Sequence, residues 1–201
     1  AGSVFPVEYR EHYFDSTLSL MEPDEGSGIY VAGLDVASGG DDFTVLTVGD
    51  MRDRHTVFQR AYPRIETQLQ QELVAQDIKR YGTCRVLLDG TVAGIYWTTD
   101  LKNMGCNVTP YEMSGTNKAR LIAEFQRSLE RELIKSYRIP PLDAEMEAYE
   151  RSENMNQYGV YSYNAPKGFH DDRVVSAALL NHILGAGAAV RTRAKNRKRN
   201  Y

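Results

Sequence analysis

Cysteine is scarce: Cys84 and Cys106 are the two in 201 residues. They lie 22 positions apart, form no CxxC pair and have no histidine near them in sequence, which excludes a disulfide framework and a thiolate zinc site. They read as small buried apolar residues of a protein kept in a reducing compartment. Long apolar runs are also missing. None approaches the roughly 20 residues of a membrane-crossing helix, and no secretory signal precedes the first strand, so no membrane is expected among the partners. There is no GxxxxGK[ST], which excludes a P-loop nucleotide site. Internal repeats are absent, and low complexity is confined to the carboxyl end.

What is present suits one mixed α/β domain, with 42% apolar residues and a net charge of −3. The charge is uneven. The tail "RTRAKNRKRNY" carries Arg191, Arg193, Lys195, Arg197, Lys198 and Arg199, so the body ahead of it is markedly more acidic than the whole chain. A Gly/Ala-hinged basic tail on an acidic body fits either a polyanion-binding segment or a solvated end. Three regions follow: an amino-terminal arm or linker outside the core (1–27), an α/β body (28–186) and a flexible basic tail (187–201). The leading Ala-Gly-Ser reads as a cloning scar and the chain as a piece of something longer.

The body opens with three β-rich runs, 29–36, 43–49 and 55–62, joined by the short turn-like "ASGGDD" and "DMRD", which predicts an antiparallel meander. Apolar spacing then predicts a helix over 65–82, a buried strand "CRVLLD", a helix over 91–105, an edge strand "NVTPYEM" marked by Pro110, and a helix over 116–133. A short helix at 140–150, a strand or hairpin in "QYGVYSYN" and a last helix "DDRVVSAALLNHILG" complete the order. Strand–helix–strand units require right-handed crossovers and parallel neighbours, so the expected architecture is a mixed five-stranded sheet covered by helices on both faces.

Three acidic positions do not fit a purely structural role. Asp35 sits in the first strand of the body, where an isolated buried carboxylate costs several kcal/mol or changes its ionisation. Asp89 ends the apolar run "VLL" at the carboxyl end of a parallel strand, where ligands collect in open α/β sheets. Asp171 and Asp172 open the last helix behind His170. One acid suffices for an N-cap, so the other is free to point into a site. A cation among these acids removes the objection to each. An all-oxygen set selects a hard ion, Mg²⁺ or Mn²⁺, and two such ions about 4 Å apart are the arrangement that hydrolyses phosphodiesters. Strand ending, turn formation and helix capping remain the structural alternatives for these residues. Asp41 and Asp42 read as turn residues and His170 as a loop residue, while His12, His55 and His182 carry no signal.

In their order along the chain, "GLDVASGGDDFTVLTVGD", "VLLDGTVAG", "KARLIAEFQRSLERELI" and "HDDRVVSAALL" resemble the nuclease domain of tailed-bacteriophage terminase large subunits, over roughly 28–185. The resemblance implies a ribonuclease H-like or resolvase-like fold with an added hairpin beside the site. It also implies a metal-dependent endodeoxyribonuclease of a viral DNA-packaging motor that cuts concatemeric DNA with two Mg²⁺ or Mn²⁺ ions. Asp35, Asp89 and the Asp171/Asp172 pair match the three acidic motifs as catalytic metal ligands. Lys118, Arg120, Lys167 and His170 are candidate contacts to double-stranded DNA. The implied partners are the motor's own ATPase domain, the small terminase subunit and the portal, in the host cell cytoplasm. The missing phosphate loop makes this either the nuclease half alone or a free-standing nuclease. The alternatives are a Holliday-junction-resolvase-like or transposase-like nuclease, a non-catalytic DNA or portal docking module, and one lobe of an actin-like ATPase, which this length disfavours.

Overall fold

A computed structural model describes residues 2–23, 29–155, 161–166, 168 and 170–198. The elements run β1 (Gly2–Ser3), α1 (Val7–Tyr13), β2 (Tyr30–Asp35), β3 (Thr44–Asp50), β4 (His55–Tyr62), α2 (Thr67–Arg80), β5 (Arg85–Asp89), α3 (Val92–Asn103), β6 (Asn107–Tyr111), α4 (Gly115–Glu130), β7 (Lys135–Ser136), α5 (Pro140–Ala148), β8 (Glu150–Met155), β9 (Tyr161–Asn164) and α6 (Asp172–Lys198). The main sheet has the order β6-β5-β2-β3-β4-β7. The meander β2-β3-β4 is antiparallel, and β5 and β6 continue the sheet parallel to β2. The mixed helix-covered sheet expected from sequence is therefore present, with one strand more than the five anticipated. That strand, β7, is two residues long and pairs with the far edge of β4, too short for any periodicity to reveal.

Alternation along the strands splits the core into two layers. Tyr30, Ala32 and Leu34 of β2 face α2 and α3 together with Val86 and Leu88 of β5. Val31 and Leu87 face the opposite layer, built from α1, α4, α5 and α6. Asp35 and Asp89 continue the odd-numbered series, so both carboxylates stand on the α4–α6 face.

Gly33 sets the depth of α6 on that face. A Cβ there would lie 2.3 Å from the Ser176 carbonyl oxygen and 2.5 Å from the Leu180 nitrogen, so helix backbone rests directly on strand backbone. Ser176 Oγ donates to the Gly33 carbonyl (3.0 Å) and pairs with Thr47 Oγ1 (2.7 Å).

The amino-terminal segment corrects the expectation of an arm outside the core. Val4, Phe5, Tyr13 and Phe14 are buried, and the Phe5 ring packs on Phe125 at 5.5 Å and on Tyr149 at 5.7 Å. Gly2 and Ser3, which read as a scar, pair with Arg151 and Glu150 of β8 in a second, three-stranded sheet, β1-β8-β9. The "EPDEGSG" stretch suggested a linker, but its polarity says nothing of the apolar anchors some twenty residues before it. The hairpin is β8–β9, and it begins earlier than "QYGVYSYN"; residues 156–160 lie outside the described residues. Helical backbone in α6 runs on to Lys198, beyond the end at Gly185 that composition suggested. Among the described residues no helix is long and apolar enough to cross a membrane.

Candidate metal centre

The register of β2 and β5 brings the two strand-end acids together. They are parallel neighbours with Leu34 opposite Leu88, so Asp35 and Asp89 follow side by side. Both are 7% exposed. The Thr91 N–H donates to Asp89 Oδ1 at 3.0 Å. Helix α3 starts so tightly against this strand end that a Cβ at Gly94 would meet the Asp89 carbonyl oxygen at 1.6 Å, which explains a glycine inside a helix.

Helix geometry delivers the third acid. Ser176 sits over Gly33, and Asp172 precedes Ser176 by four residues, a rise of about 6 Å. Asp35 follows Gly33 by two residues, about 6.6 Å of strand. The helix and strand therefore carry Asp172 and Asp35 the same distance toward the same rim. Asp172 is 6% exposed and accepts the Phe43 N–H at 2.9 Å. Asp171 accepts from Lys118 Nζ at 2.9 Å.

Electrostatics record this crowding. Burial lifts the Asp35 carboxyl well above the usual carboxylate range, and the charges of Asp89, Asp172 and Asp171 lift it further against the pull of Lys118. Burial also raises Asp89, opposed by the Thr91 N–H, the neighbouring Asp35 carboxyl and Lys118. Asp172 is raised by burial and by Asp42 and Asp171, opposed by the Phe43 N–H and His170. Buried carboxyls raised in this way, by burial and in part by one another's charge, form a site short of positive charge.

The Gly-rich loop adds a residue that sequence reading assigned to a turn. Gly39 and Gly40 adopt φ of +129° and +64°, a left-handed path that folds the loop back. Ser38 Oγ donates to Asp42 at 3.0 Å, and the Ala37 N–H closes the loop base on Thr44 at 3.2 Å. Asp42 consequently comes beside His170 and Asp172, with one potential ligand atom of each within 4.8 Å of the others. The His170 ring meets the Phe43 ring edge-on at 5.1 Å, and its Nδ1 lies 3.6 Å from Asp172. Adjacent "DD" letters in a turn do not show which of the two folds inward. Asp41 turns away and pairs with Arg64 at 2.9 Å.

Of the cationic candidates, Lys118 is committed to the acids, whereas Arg120 is exposed on α4. Lys167 lies outside the described residues. The donor set fits a hard divalent cation: it is rich in carboxylate oxygen, contains no sulfur, and presents one imidazole at its edge.

Comparison with known proteins agrees with this geometry at the level of fold. No protein-family model matches the chain, and no curated protein matches it. Solved structures do. The large terminase nuclease of the thermophilic phage G20c with bound magnesium superposes with a TM-score of 0.75 at 20% identity, over 90% of this chain and 96% of that one. The large terminase nuclease domain of Thermus phage P74-26 gives 0.72 at 20% identity, over 89% and 94%. A K428A mutant of the large terminase subunit fragment gp2c from bacteriophage Sf6, with calcium, gives 0.71 at 12% identity, over 90% and 99%. The chain thus has the ribonuclease H-like fold of large terminase nuclease domains, the group that its motifs resemble in sequence.

Proposed function

We propose that the chain is a metal-dependent DNA endonuclease domain of a viral genome-packaging motor, working on double-stranded DNA with two Mg²⁺ or Mn²⁺ ions. One observation carries this reading: Asp35 and Asp89 end neighbouring parallel strands on one face, and α6 brings the Asp171/Asp172 pair to the same rim. The likeness to nuclease domains solved with magnesium and with calcium supports it.

Asp35, between the other acids, would hold a cation jointly with Asp89 on one side and Asp172 on the other. Asp42 and His170 would complete the side nearer the Gly-rich loop. When bound, divalent cations supply the positive charge that holds a phosphodiester and activates water against it. The protein's own contribution is placement. Two strand ends and a helix start are rigid, so the carboxylates keep their spacing without reorganising. Lys118 neutralises part of the acidic charge, which lets the fold tolerate the cluster before cations bind. The resulting products would be a 5′-phosphate and a 3′-hydroxyl.

Grip on DNA would come from contacts to its backbone by Arg120, exposed on α4, with Lys167 and the basic tail as further candidates and with little base reading. The ATPase domain, small subunit and portal are the partners such a motor requires. Plasmid digestion tests the proposal: wild-type protein should nick and linearise supercoiled DNA when Mn²⁺ is added and leave it intact in chelator. Digestion equally fast in chelator would refute it.

A further inference from the structure

The first turn of α6 carries N–H groups that no carbonyl of the helix can accept. Asp171 and Asp172 stand where a capping side chain is expected, yet the described contacts commit them elsewhere. Asp171 Oδ2 takes Lys118, and Asp172 Oδ2 takes the Phe43 N–H. The acceptor comes from another helix. Glu145 of α5 receives the N–H of Arg173 at 2.9 Å and of Val174 at 3.2 Å, both on Oε2. Its Oε1 lies 3.8 Å from Arg173 Nε. The Arg173 guanidinium in turn donates to Gln59 Oε1 at 3.0 Å, and Gln59 Nε2 donates at 3.0 Å to Thr47 Oγ1, the partner of Ser176. The side chain of Glu145 is only 13% exposed.

We infer that Glu145 is the positioning residue of the Asp171–Asp172 doublet: by capping α6 from α5 it relieves both carboxylates of that task and fixes their height over Asp35 and Asp89. The inference rests on the metal-nuclease reading above. Its physical content is a competition. Without Glu145, the orphan N–H groups draw in a nearby acceptor, and the doublet supplies the nearest ones. An acid recruited as a cap is withdrawn from the cations.

The test is Mn²⁺ binding to the metal-free protein, followed by calorimetry and by the electron paramagnetic resonance of the free ion. Glu145→Ala should weaken Mn²⁺ binding by about tenfold or more, the usual effect of losing a group that orients ligands. Glu145→Gln keeps an acceptor oxygen at the same reach and should recover most of the affinity. Ile78→Ala, in the opposite core layer, should lower the melting temperature while binding Mn²⁺ like wild type. Should Glu145→Ala not fold, Glu145→Asp, with its acceptor retracted by one methylene, is read the same way. Wild-type affinity in Glu145→Ala (or in Glu145→Asp, if that is the variant read), or an equal loss in Ile78→Ala, overturns the inference. If wild type takes no Mn²⁺, or Asp35→Asn binds it as tightly as wild type, the metal reading itself fails and the inference falls with it.

Discussion

Gly33→Ala is the perturbation that links the fold to the site most tightly. The added Cβ would lie 2.3 Å from the Ser176 carbonyl oxygen, 2.5 Å from the Leu180 nitrogen and 2.8 Å from Leu179 Cβ. Two of these neighbours are backbone and cannot rotate away. Restoring an ordinary contact requires α6 to retreat by about 1 Å, and overpacking of this kind costs about 1–3 kcal/mol. At about 2–4 °C per kcal/mol for a chain of this size, the melting temperature should fall by about 2–12 °C. The retreat also lengthens the Ser176–Gly33 hydrogen bond, one turn from Asp172. A displacement of about 1 Å in a catalytic group can cost about 10²-fold in rate. Thermal melts without metal and Mn²⁺-dependent plasmid cleavage measure the two effects on one protein. A variant that melts within 1 °C of wild type and cuts at the wild-type rate would refute the claim that this close approach sets the height of the acids.

Other expectations follow from the electrostatics and the charge distribution. Asp35, Asp89, Asp172 and Glu145 all have folded-state values raised above their ordinary ones, Glu145 to about 7. Their stabilising share is therefore complete at pH values below the unfolded carboxylate range and is lost as pH rises through the folded values. The metal-free protein should melt higher near pH 5 than near pH 8, and Mn²⁺ should narrow that gap by stabilising the ionised acids; a metal-free melting temperature that climbs from pH 5 to pH 8 would contradict this. Asp35→Asn removes the most strongly raised acid, so its metal-free melting temperature at pH 8 should equal or exceed that of wild type, and a fall of several degrees would make Asp35 a structural acceptor instead. Deleting residues 191–201 should weaken retention of long DNA and make it less salt-sensitive while leaving Mn²⁺-dependent cutting of short duplexes intact; loss of that cutting would place the tail in the site.

Sequence exposed the parts of this architecture that are local. The strand His55–Tyr62 and the turn at Gly105 follow from a β-rich run between turn-like joints and from a left-handed stop. Asp35 and Asp89 stood out because apolar strands seldom end in unexplained acids. What stayed hidden depends on contacts across the chain. Phe5 is buried because Phe125 and Tyr149 receive it, and nothing near Phe5 announces them. Asp42 joins His170 and Asp172 only after two glycines reverse the loop. Lys118 read as a candidate DNA contact, and its partner Asp171 is 53 residues away. Glu145 caps a helix that begins 27 residues later, beyond the reach of any capping-box pattern.

The central claim is that these carboxylates gather because divalent cations belong among them. Anomalous scattering at the manganese edge, from crystals of the protein grown with Mn²⁺, measures it directly. The account predicts two peaks, one bounded by Asp35 and Asp89 and one by Asp35 and Asp172, both lost in Asp35→Asn. A map with no peak at this rim, while Mn²⁺ binds elsewhere on the protein, would contradict it.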